Sequence, residues 1–362
     1  MAEQESLTEL TELLDQIHAR GNLEHSLLLG YYGGGNYGDE LLLEILANLL
    51  ASRGIQDATI TYQDPKNYTA FHHDFGYKLA HMHDKKALLG AVLKNKTIIV
   101  GGGGLWGRDF NFNMLLLSLM LFASRWLLRK KVYLLGVGYY RSTSWLGHFG
   151  AFLAGKSANA TLARDQETLT NFRKVSKHTF LSRDIAWYVK DVDATAYTKD
   201  VAKLDKKLKV RGKTLFFTLR KLEGYYSLIG ECLAQNQDKP AMAGLLVPRK
   251  VRPDGFQLLS GWQLHNKNLQ IFDLESNPLG LFYFFRKHRD NLAVIGPQYH
   301  IIITAHLSGV PFMPIVYDNK VTELLRQIKD PRDPLPVQEL DQKDLQEFID
   351  DFYDDFYKKG SG

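Results

Sequence analysis

The stretch Gly30–Glu40, GYYGGGNYGDE, constrains the fold of this chain more than any other. The apolar run Ser26–Leu29 precedes it and the amphipathic segment Leu41–Leu46 follows it, which predicts a buried strand, a turn and a helix. Four of the six residues from position 33 to 38 are glycine, so the backbone can approach a ligand closely. Amides at the start of the helix can bind an anion, and Asn36 and Asp39 add polar side chains there. An alternative is an ordinary tight connection between a strand and a helix.

The same plan, a strand followed by glycines or charged residues, recurs along the chain. Thr97–Val100 runs into Gly101–Gly104, and other apolar runs end at or just before Arg164, Arg220 and Lys320. Ligands bind outside the carboxyl ends of the strands in an open parallel sheet. The sequence therefore predicts an α/β fold in which these strand ends converge on one rim.

Two series of alternating strands and helices predict two Rossmann-like domains that face a cleft. The predicted divisions are an N-terminal helical arm (1–24), a first domain (25–195), a second domain (210–335) and a C-terminal helix and tail (336–362). Residues 190–212 are rich in Lys and Asp, which favours an interdomain linker or a surface helix. Residues 64–84 show no clear period and are predicted to form a long loop.

Charge, cysteine content and apolar runs limit the possible partners and the cellular location. The formal net charge of +5 suits anionic small molecules or a membrane surface as well as it suits nucleic acid. The single cysteine, Cys232, excludes an internal disulfide and favours a reducing, cytoplasmic location. No uncharged apolar run reaches the length of about 18 residues that indicates a spanning helix. The nearest, Met114–Leu128, precedes the basic residues Arg129–Lys131, and it fits either a buried helix or a helix that dips into the inner leaflet of an anionic membrane.

Nucleotide and metal motifs receive little support. Gly33, Gly35 and Gly38 match the dinucleotide pattern GxGxxG, but no acidic ribose ligand marks the required strand end. The GxxxxGK[ST] motif of nucleoside triphosphate hydrolases is missing. The histidines between positions 72 and 83 have no coherent ligand spacing, so no metal is predicted.

Cationic side chains at the strand ends are more informative. Arg164, Arg220 and Lys320 each follow a predicted strand, and guanidinium groups bind carboxylate and phosphate with two parallel hydrogen bonds. His300 begins a helix just past another strand and can act as an acid or a base near neutral pH. The set indicates an anionic, phosphorylated substrate. Arg164 has the alternative of a structural ion pair with Asp165.

The order of these motifs resembles that of the polysaccharide pyruvyltransferase family. Gly30–Glu40 resembles its N-terminal motif, and Gly101–Leu105 with Asp109 resembles its second glycine turn. The family's "RD-E-S" segment, its "D-P-A" segment and its strand ending in arginine are resembled by Ala163–Thr168, Asp184–Ala186 and Phe217–Arg220. Thr168 stands where serine is usual, and Ile185 stands in place of proline. Ala293–Val321 resembles its C-terminal block, so the resemblance covers residues 26–321.

This resemblance implies a fold similar to GT-B glycosyltransferases. It also implies transfer of pyruvate from phosphoenolpyruvate, the co-substrate, to a sugar of a cell-surface polysaccharide or glycan precursor, with formation of a ketal and with no other cofactor and no metal. The implied roles are catalysis by His300 and Asp39, donor binding by Arg220, Arg164, Gln298, Tyr299 and Lys320, and acceptor binding by Asn36, Gly35, Gly103 and Asp109. The expected partner is a glycan or lipid-linked saccharide, with peripheral membrane contact at the inner face and without nucleic acid.

One departure from the family pattern bears on donor binding. The family has arginine two residues before its C-terminal histidine, whereas this chain has Gln298, followed by Tyr299 and His300. A neutral amide does not replace the charge of a guanidinium group. Two alternatives therefore stay open: a GT-B glycosyltransferase that uses a nucleotide sugar, and a family member that has lost donor binding.

Overall fold

The chain forms two compact units in a computed structural model that describes residues 7–66, 68, 72–106, 111–140, 144–246, 253–273, 277–330 and 336–354. Unit 1 comprises Met1–Gly34 and Asp39–Val192, and unit 2 comprises Gly35–Gly38 and Asp193–Gly362. Four residues of the first glycine-rich turn therefore pack with the C-terminal half of the chain.

Unit 1 is built on a parallel sheet of seven strands in the order β3-β2-β1-β4-β5-β6-β7. The strands are β1 Ser26–Leu29, β2 Ala58–Tyr62, β3 Lys78–His81, β4 Thr97–Gly101, β5 Lys131–Val137, β6 Ala160–Ala163 and β7 Thr179–Leu181. The helices are α1 Leu10–Ala19, α2 Tyr37–Ala51, α3 Lys85–Lys94, α4 Phe112–Trp126, α5 Trp145–Ser157 and α6 Gln166–Arg173, and a 3₁₀ helix spans Ile185–Asp191.

One face of this sheet is covered by α3, α4, α5 and α6. The strand register places Leu27 opposite Ile98 and Ile98 opposite Val132, so these side chains point to the same face. They share one buried cluster with side chains from all four helices, namely Val92, Leu121, Ala154 and Phe172. The outer surfaces of the four helices therefore belong to one layer.

Unit 2 is built on a parallel sheet of five strands in the order β10-β9-β8-β11-β12. The strands are β8 Thr214–Leu219, β9 Ala241–Leu245, β10 Leu269–Asp273, β11 Leu292–Gly296 and β12 Phe312–Pro314. The helices are α7 Thr198–Lys207, α8 Tyr225–Gln235, α9 Pro253–His265, α10 Pro278–Lys287, α11 Tyr299–Ser308, α12 Asn319–Gln327 and α13 Gln342–Tyr353, and a 3₁₀ helix spans Ala194–Tyr197.

The predicted α/β class is confirmed by these two parallel sheets. The prediction of a long loop at residues 64–84 is wrong for Lys78–His81, which forms the edge strand β3. This strand has only one fully buried residue, Ala80, so it lacks the apolar run that marked the other strands. Residues 190–212 contain the helix α7. In the described part of the chain, no helix is long and apolar enough to cross a membrane.

We expect Gly244→Ala to destabilise unit 2. A Cβ atom at Gly244 would overlap the backbone carbonyl of Phe272 on the neighbouring strand, and a paired backbone cannot move aside. The expected cost is about 2 kcal/mol or more, read as a lowered thermal unfolding midpoint. Gly261→Ala is the matched control, because nothing lies within 4 Å of its Cβ in α9. That helix should gain up to about 1 kcal/mol, and equal midpoints for both variants would contradict the expected overlap.

Candidate active site

Three adjacent strands of unit 2 end in residues of the predicted site. Arg220 follows β8, Gln298 follows β11, and Tyr317 and Lys320 follow β12. Since β8, β11 and β12 are neighbours in the sheet and run parallel, these residues lie at one edge.

The Tyr317 ring holds two cations. The Arg220 guanidinium carbon lies 4.3 Å from the ring centroid, and Arg220 Nη1 donates to the Tyr317 hydroxyl at 2.8 Å. Lys320 Nζ lies 5.2 Å from the same centroid. The nearby carboxylate of Asp318 is 3.9 Å from Lys320 Nζ. A cation near an aromatic face is oriented by the ring quadrupole, so Tyr317 fixes two positive charges at this edge.

The side chain of Gln298 is hydrogen-bonded to the neighbouring strand β8. Its side-chain oxygen accepts from Thr218 Oγ1, and its side-chain nitrogen donates to the Leu219 carbonyl at 2.7 Å. The Tyr225 hydroxyl donates to the Thr218 carbonyl at 3.0 Å and supports the same strand end. The amide therefore holds the start of α11 against β8, and both ends of the amide are used for that purpose.

His300 lies against the tip of the glycine-rich motif, within unit 2. A Cβ atom on Gly38 would overlap the His300 ring at Nδ1, so only glycine fits at this position. Tyr37, the residue before Gly38, makes two further contacts in unit 2. Its hydroxyl lies 2.8 Å from Thr304 Oγ1, and its amide donates to the Leu246 carbonyl at 3.1 Å. Thr304 Oγ1 also donates to the His300 carbonyl at 2.7 Å. Burial raises the pKa of the Tyr37 phenol, which stays protonated in this bond.

Arg164 lies in a buried polar cluster of unit 1. Its Nη1 donates to Asp184 at 3.1 Å, its Nη2 donates to the Tyr140 hydroxyl at 2.6 Å, and its Nε lies 3.6 Å from Asp165. Asp165 and Asp184 also cap the helices that follow them. The guanidinium packs so closely on Gly138 that a Cβ atom there would lie 2.9 Å from Arg164 Nε. Two carboxylates therefore compensate this charge, as the alternative of a structural ion pair anticipated.

The second glycine turn lies beside the first in unit 1, because β1 and β4 are paired. Gly103 has a φ of +83°, and a Cβ atom there would lie 3.6 Å from Asp39 Oδ1. The Tyr32 hydroxyl donates to the Gly101 carbonyl at 2.7 Å and links the two turns. Asp39 and Gly103, predicted for catalysis and acceptor binding, are thus brought together.

A buried charge cluster lies behind the first turn. His72 Nε2 lies 2.6 Å from Glu40 Oε2, and His72 Nδ1 lies 2.8 Å from Glu44 Oε2, with all three side chains at most 1% exposed. The Gly33 amide donates to the same oxygen of Glu40 at 3.0 Å. Burial disfavours the imidazolium, but the hydrogen bonds to Glu40 and Glu44 outweigh it and raise the pKa of His72 to about 9.

The structure thus groups the predicted residues in two sets. Unit 2 holds Arg220, Gln298, Tyr299, His300 and Lys320, together with Gly35 and Asn36, and unit 1 holds Asp39, Gly103 and Arg164. Asp109 lies outside the described residues. Within the described ranges, no group of three or more His, Cys, Asp or Glu side chains is arranged to hold a metal ion.

Several supporting residues escaped the sequence reasoning. Tyr317 is an aromatic residue three positions after β12 and three positions before Lys320, which is a usable signal. Glu40 and Glu44 are spaced by four residues on one helix, which places both on one face. No local pattern connects them with His72 or connects Tyr37 with Thr304, because these contacts join distant parts of the chain.

A family model described as polysaccharide pyruvyl transferase matches residues 36–319, most of the chain. The chain belongs to the polysaccharide pyruvyl transferase family. The resemblance of the sequence motifs is thereby confirmed. Comparison with curated protein sequences finds no significant match.

Solved structures with a similar fold are related only distantly in sequence. An MnaA–UDP co-structure from S. aureus has a TM-score of 0.57 at 12% identity, with 90% of this chain and 87% of that chain covered. A putative UDP-N-acetylglucosamine 2-epimerase from Listeria monocytogenes has a TM-score of 0.55 at 13% identity, with 90% and 88% covered. UGT73P12 of Glycyrrhiza uralensis, complexed with glycyrrhetinic acid 3-O-monoglucuronide, has a TM-score of 0.53 at 10% identity, with 86% and 81% covered. The fold is GT-B-like, as predicted.

We expect His72 to make the stability of unit 1 depend on pH. Its folded pKa of about 9 lies above the ordinary value of 6.5, so the protonated cluster contributes fully below pH 6.5 and loses its contribution as the pH rises through 9. A shift of this size corresponds to on the order of 3 kcal/mol. Chemical denaturation of the full-length protein at a series of pH values measures this contribution.

His72→Gln removes the titrating group, so it should lower stability at mildly acidic pH and flatten the dependence at higher pH. The exposed His83 lies on the same segment, and His83→Gln is the matched control that keeps the slope. If the pH dependence of stability is the same in His72→Gln as in the wild type, His72 is not the group that titrates.

Proposed function

We propose that this protein transfers pyruvate from phosphoenolpyruvate to a sugar of a polysaccharide or glycan precursor and forms a pyruvyl ketal. Membership of the family supports a pyruvyltransferase. The observation that carries the choice of donor is the pair of cations, Arg220 and Lys320, which contact the Tyr317 ring and follow β8 and β12, the two strands that flank β11. A donor with a carboxylate and a phosphate needs two such positive groups.

The proposed reaction begins with proton transfer to the donor methylene. The methylene carbon gains a proton and becomes a methyl group, while C2 becomes cationic. One sugar hydroxyl adds to C2 and loses its proton, the bond from C2 to the phosphate oxygen breaks, and a second hydroxyl closes the ketal. The two hydroxyl protons balance the proton on the methyl group and the proton on the released phosphate.

His300 is proposed as the acid and base of this sequence. It stands at the start of α11, in the same edge of unit 2 as Arg220 and Lys320, and imidazole is suited to moving protons near neutral pH. Gly38 and Thr304 contact it from two sides, at the ring and at the backbone carbonyl.

Acceptor hydroxyls are assigned to the glycine turns in this proposal. Asn36 is exposed, and Asp39 adjoins Gly103 in the paired turn. Gly35 and Gly103 both have a positive φ, a conformation that glycine adopts without strain and that allows a ligand to approach the backbone closely. Donor binding is proposed for Arg220 and Lys320 ahead of Arg164, because Asp165 and Asp184 already compensate Arg164. No cofactor besides the co-substrate is invoked, and a cytoplasmic location remains a prediction.

Gln298 is the residue on which this proposal and its alternatives differ. Its amide is used by Thr218 and Leu219, which supports a positioning role in place of the charge that the family pattern supplies. Release of phosphate from phosphoenolpyruvate that depends on a glycan acceptor would support pyruvyl transfer. Thermal stabilisation by UDP-N-acetylglucosamine but not by phosphoenolpyruvate would favour a nucleotide-sugar enzyme, and stabilisation by neither would favour loss of donor binding.

We expect Arg220→Gln to raise the KM for phosphoenolpyruvate by about tenfold or more, because it removes a charged contact worth about 1.5–3 kcal/mol. Lys221→Gln changes an exposed cation at the next position and is the matched control, with an expected KM close to that of the wild type. Steady-state assays of phosphate release measure both. Equal KM values for the two variants would place the donor away from Arg220.

We expect Gly38→Ala to lower kcat about 100-fold while the fold is kept, because the added methyl group displaces the His300 ring. Gly90→Ala is the control, since a Cβ atom at this helical glycine meets nothing within 4 Å. The same phosphate-release assay is used, with circular dichroism to verify folding. If folded Gly38→Ala keeps the wild-type kcat, catalysis does not depend on the position of the His300 ring.

A further inference from the structure

Unit 1 exposes large apolar side chains on three neighbouring helices. Trp145, Phe149 and Phe152 of α5 follow the spacing i, i+4, i+7, and Trp145 is 73% exposed. On α4, Leu116 and Leu119 are exposed at three-residue spacing, and Trp126 lies at the end of that helix. Helix α3 exposes Leu89 and Leu93, four residues apart. We term this set, together with Phe112, Leu127 and Leu128, the apolar face.

The apolar face lies on the outer side of one helical layer. The opposite sides of α3, α4 and α5 enter the same buried cluster over one face of the sheet, through Val92, Leu121 and Ala154. Helices α4 and α5 are also packed side by side along their lengths: a Cβ atom on Gly150 would lie 3.6 Å from Leu115 Cα. Exposed apolar side chains grouped on one helical layer mark an interaction site.

Positive charge is concentrated in the same part of the chain. Residues 85–163 contain 11 Lys and Arg but one acidic residue, Asp109, which is a net charge of +10. The rest of the chain has 34 Lys and Arg against 39 Asp and Glu, which is a net charge of −5. The net charge of the whole chain, +5, does not reveal this uneven distribution of charge.

Several of these cations lie at the C-terminal ends of the helices that carry the apolar face. Lys94, Arg129, Lys131 and Lys156 are exposed there. Lys130 Nζ donates to the carbonyls of Leu93 and Asn95, which joins the end of α4 to the end of α3. Lys94, Arg129 and Lys131 therefore lie next to joined helix ends, and we term the exposed cations at these helix ends the rim.

The charge identifies the kind of surface that covers the apolar face. A second copy of the chain would bring two strongly positive surfaces together. Nucleic acid offers bases that stack on Phe and Trp side chains, but it offers no apolar partner for the exposed leucines of α3 and α4. A bilayer with anionic headgroups satisfies both features, because apolar and tryptophan side chains insert at the interface while Lys and Arg bind the headgroups. We propose that unit 1 docks on an anionic lipid bilayer through the apolar face, without spanning it.

Docking of this kind is independent of the reaction proposed above. Full-length protein is mixed with vesicles of phosphatidylcholine containing about one third phosphatidylglycerol, at about 0.15 M salt, and bound protein is sedimented. No donor or acceptor is present, so a failure of pyruvyl transfer does not affect the result. We expect binding to these vesicles to be at least about tenfold stronger than binding to phosphatidylcholine alone.

Two variants test the two components separately. The double variant Trp145→Ser, Phe149→Ser reduces the apolar component and is expected to lower binding at least about tenfold. Its control is Leu264→Ser, which changes a side chain that is 82% exposed in unit 2. The double variant Lys94→Glu, Arg129→Glu reverses two rim charges and is expected to lower binding equally. Its control is Lys206→Glu, Lys209→Glu, which makes the same change of charge in unit 2.

Three outcomes would overturn the proposal. The first is an absence of sedimentation with the anionic vesicles. The second is equal binding by each variant and its control, with folding verified by circular dichroism. The third is light scattering that shows a dimer which Trp145→Ser, Phe149→Ser converts to a monomer, because a second copy would then cover the apolar face.

Discussion

The hydrogen bonds of one buried carboxylate organise the start of unit 1. Glu40 accepts from the Gly33 amide and pairs with His72, so the glycine turn, the start of α2 and the segment before β3 meet at one oxygen. A buried charge with fewer partners would cost several kcal/mol, so the three groups must assemble together. The start of α2, which bears Asp39, is therefore held by a network that includes His72, 32 positions from Glu40 in the sequence.

The elements that the sequence predicted well are those in which one local property decides the structure. Ser26–Leu29 and Thr97–Gly101 are buried throughout and mostly apolar because both of their faces are covered, and strands of this kind are visible without any tertiary information. Strand β3 lies at the sheet edge with its side chains largely exposed, so nothing in Lys78–His81 marks it as a strand. Only its pairing with β2 decides its conformation.

The candidate site divides in the same way. Arg220, His300 and Lys320 could be found from the sequence, because each stands just past a recognisable strand. The role of Gln298 could not be found, since it depends on Thr218 and Leu219, about eighty positions earlier and adjacent only through the pairing of β8 with β11. For Arg164 the sequence suggested too much. Its position after a strand suggested a substrate contact, whereas its partners are the buried carboxylates of Asp165 and Asp184.

The assignment of Gly35–Gly38 to unit 2 has a consequence for how the two halves could be separated or exchanged. The polypeptide passes from one unit to the other three times, after Gly34, after Gly38 and after Val192. A fragment beginning at Asp193 would lose Tyr37, and with it the partners of Leu246 and Thr304. Chimeras that recombine halves from two family members need to transplant this tetrapeptide along with the C-terminal half, although it is encoded more than 150 codons upstream.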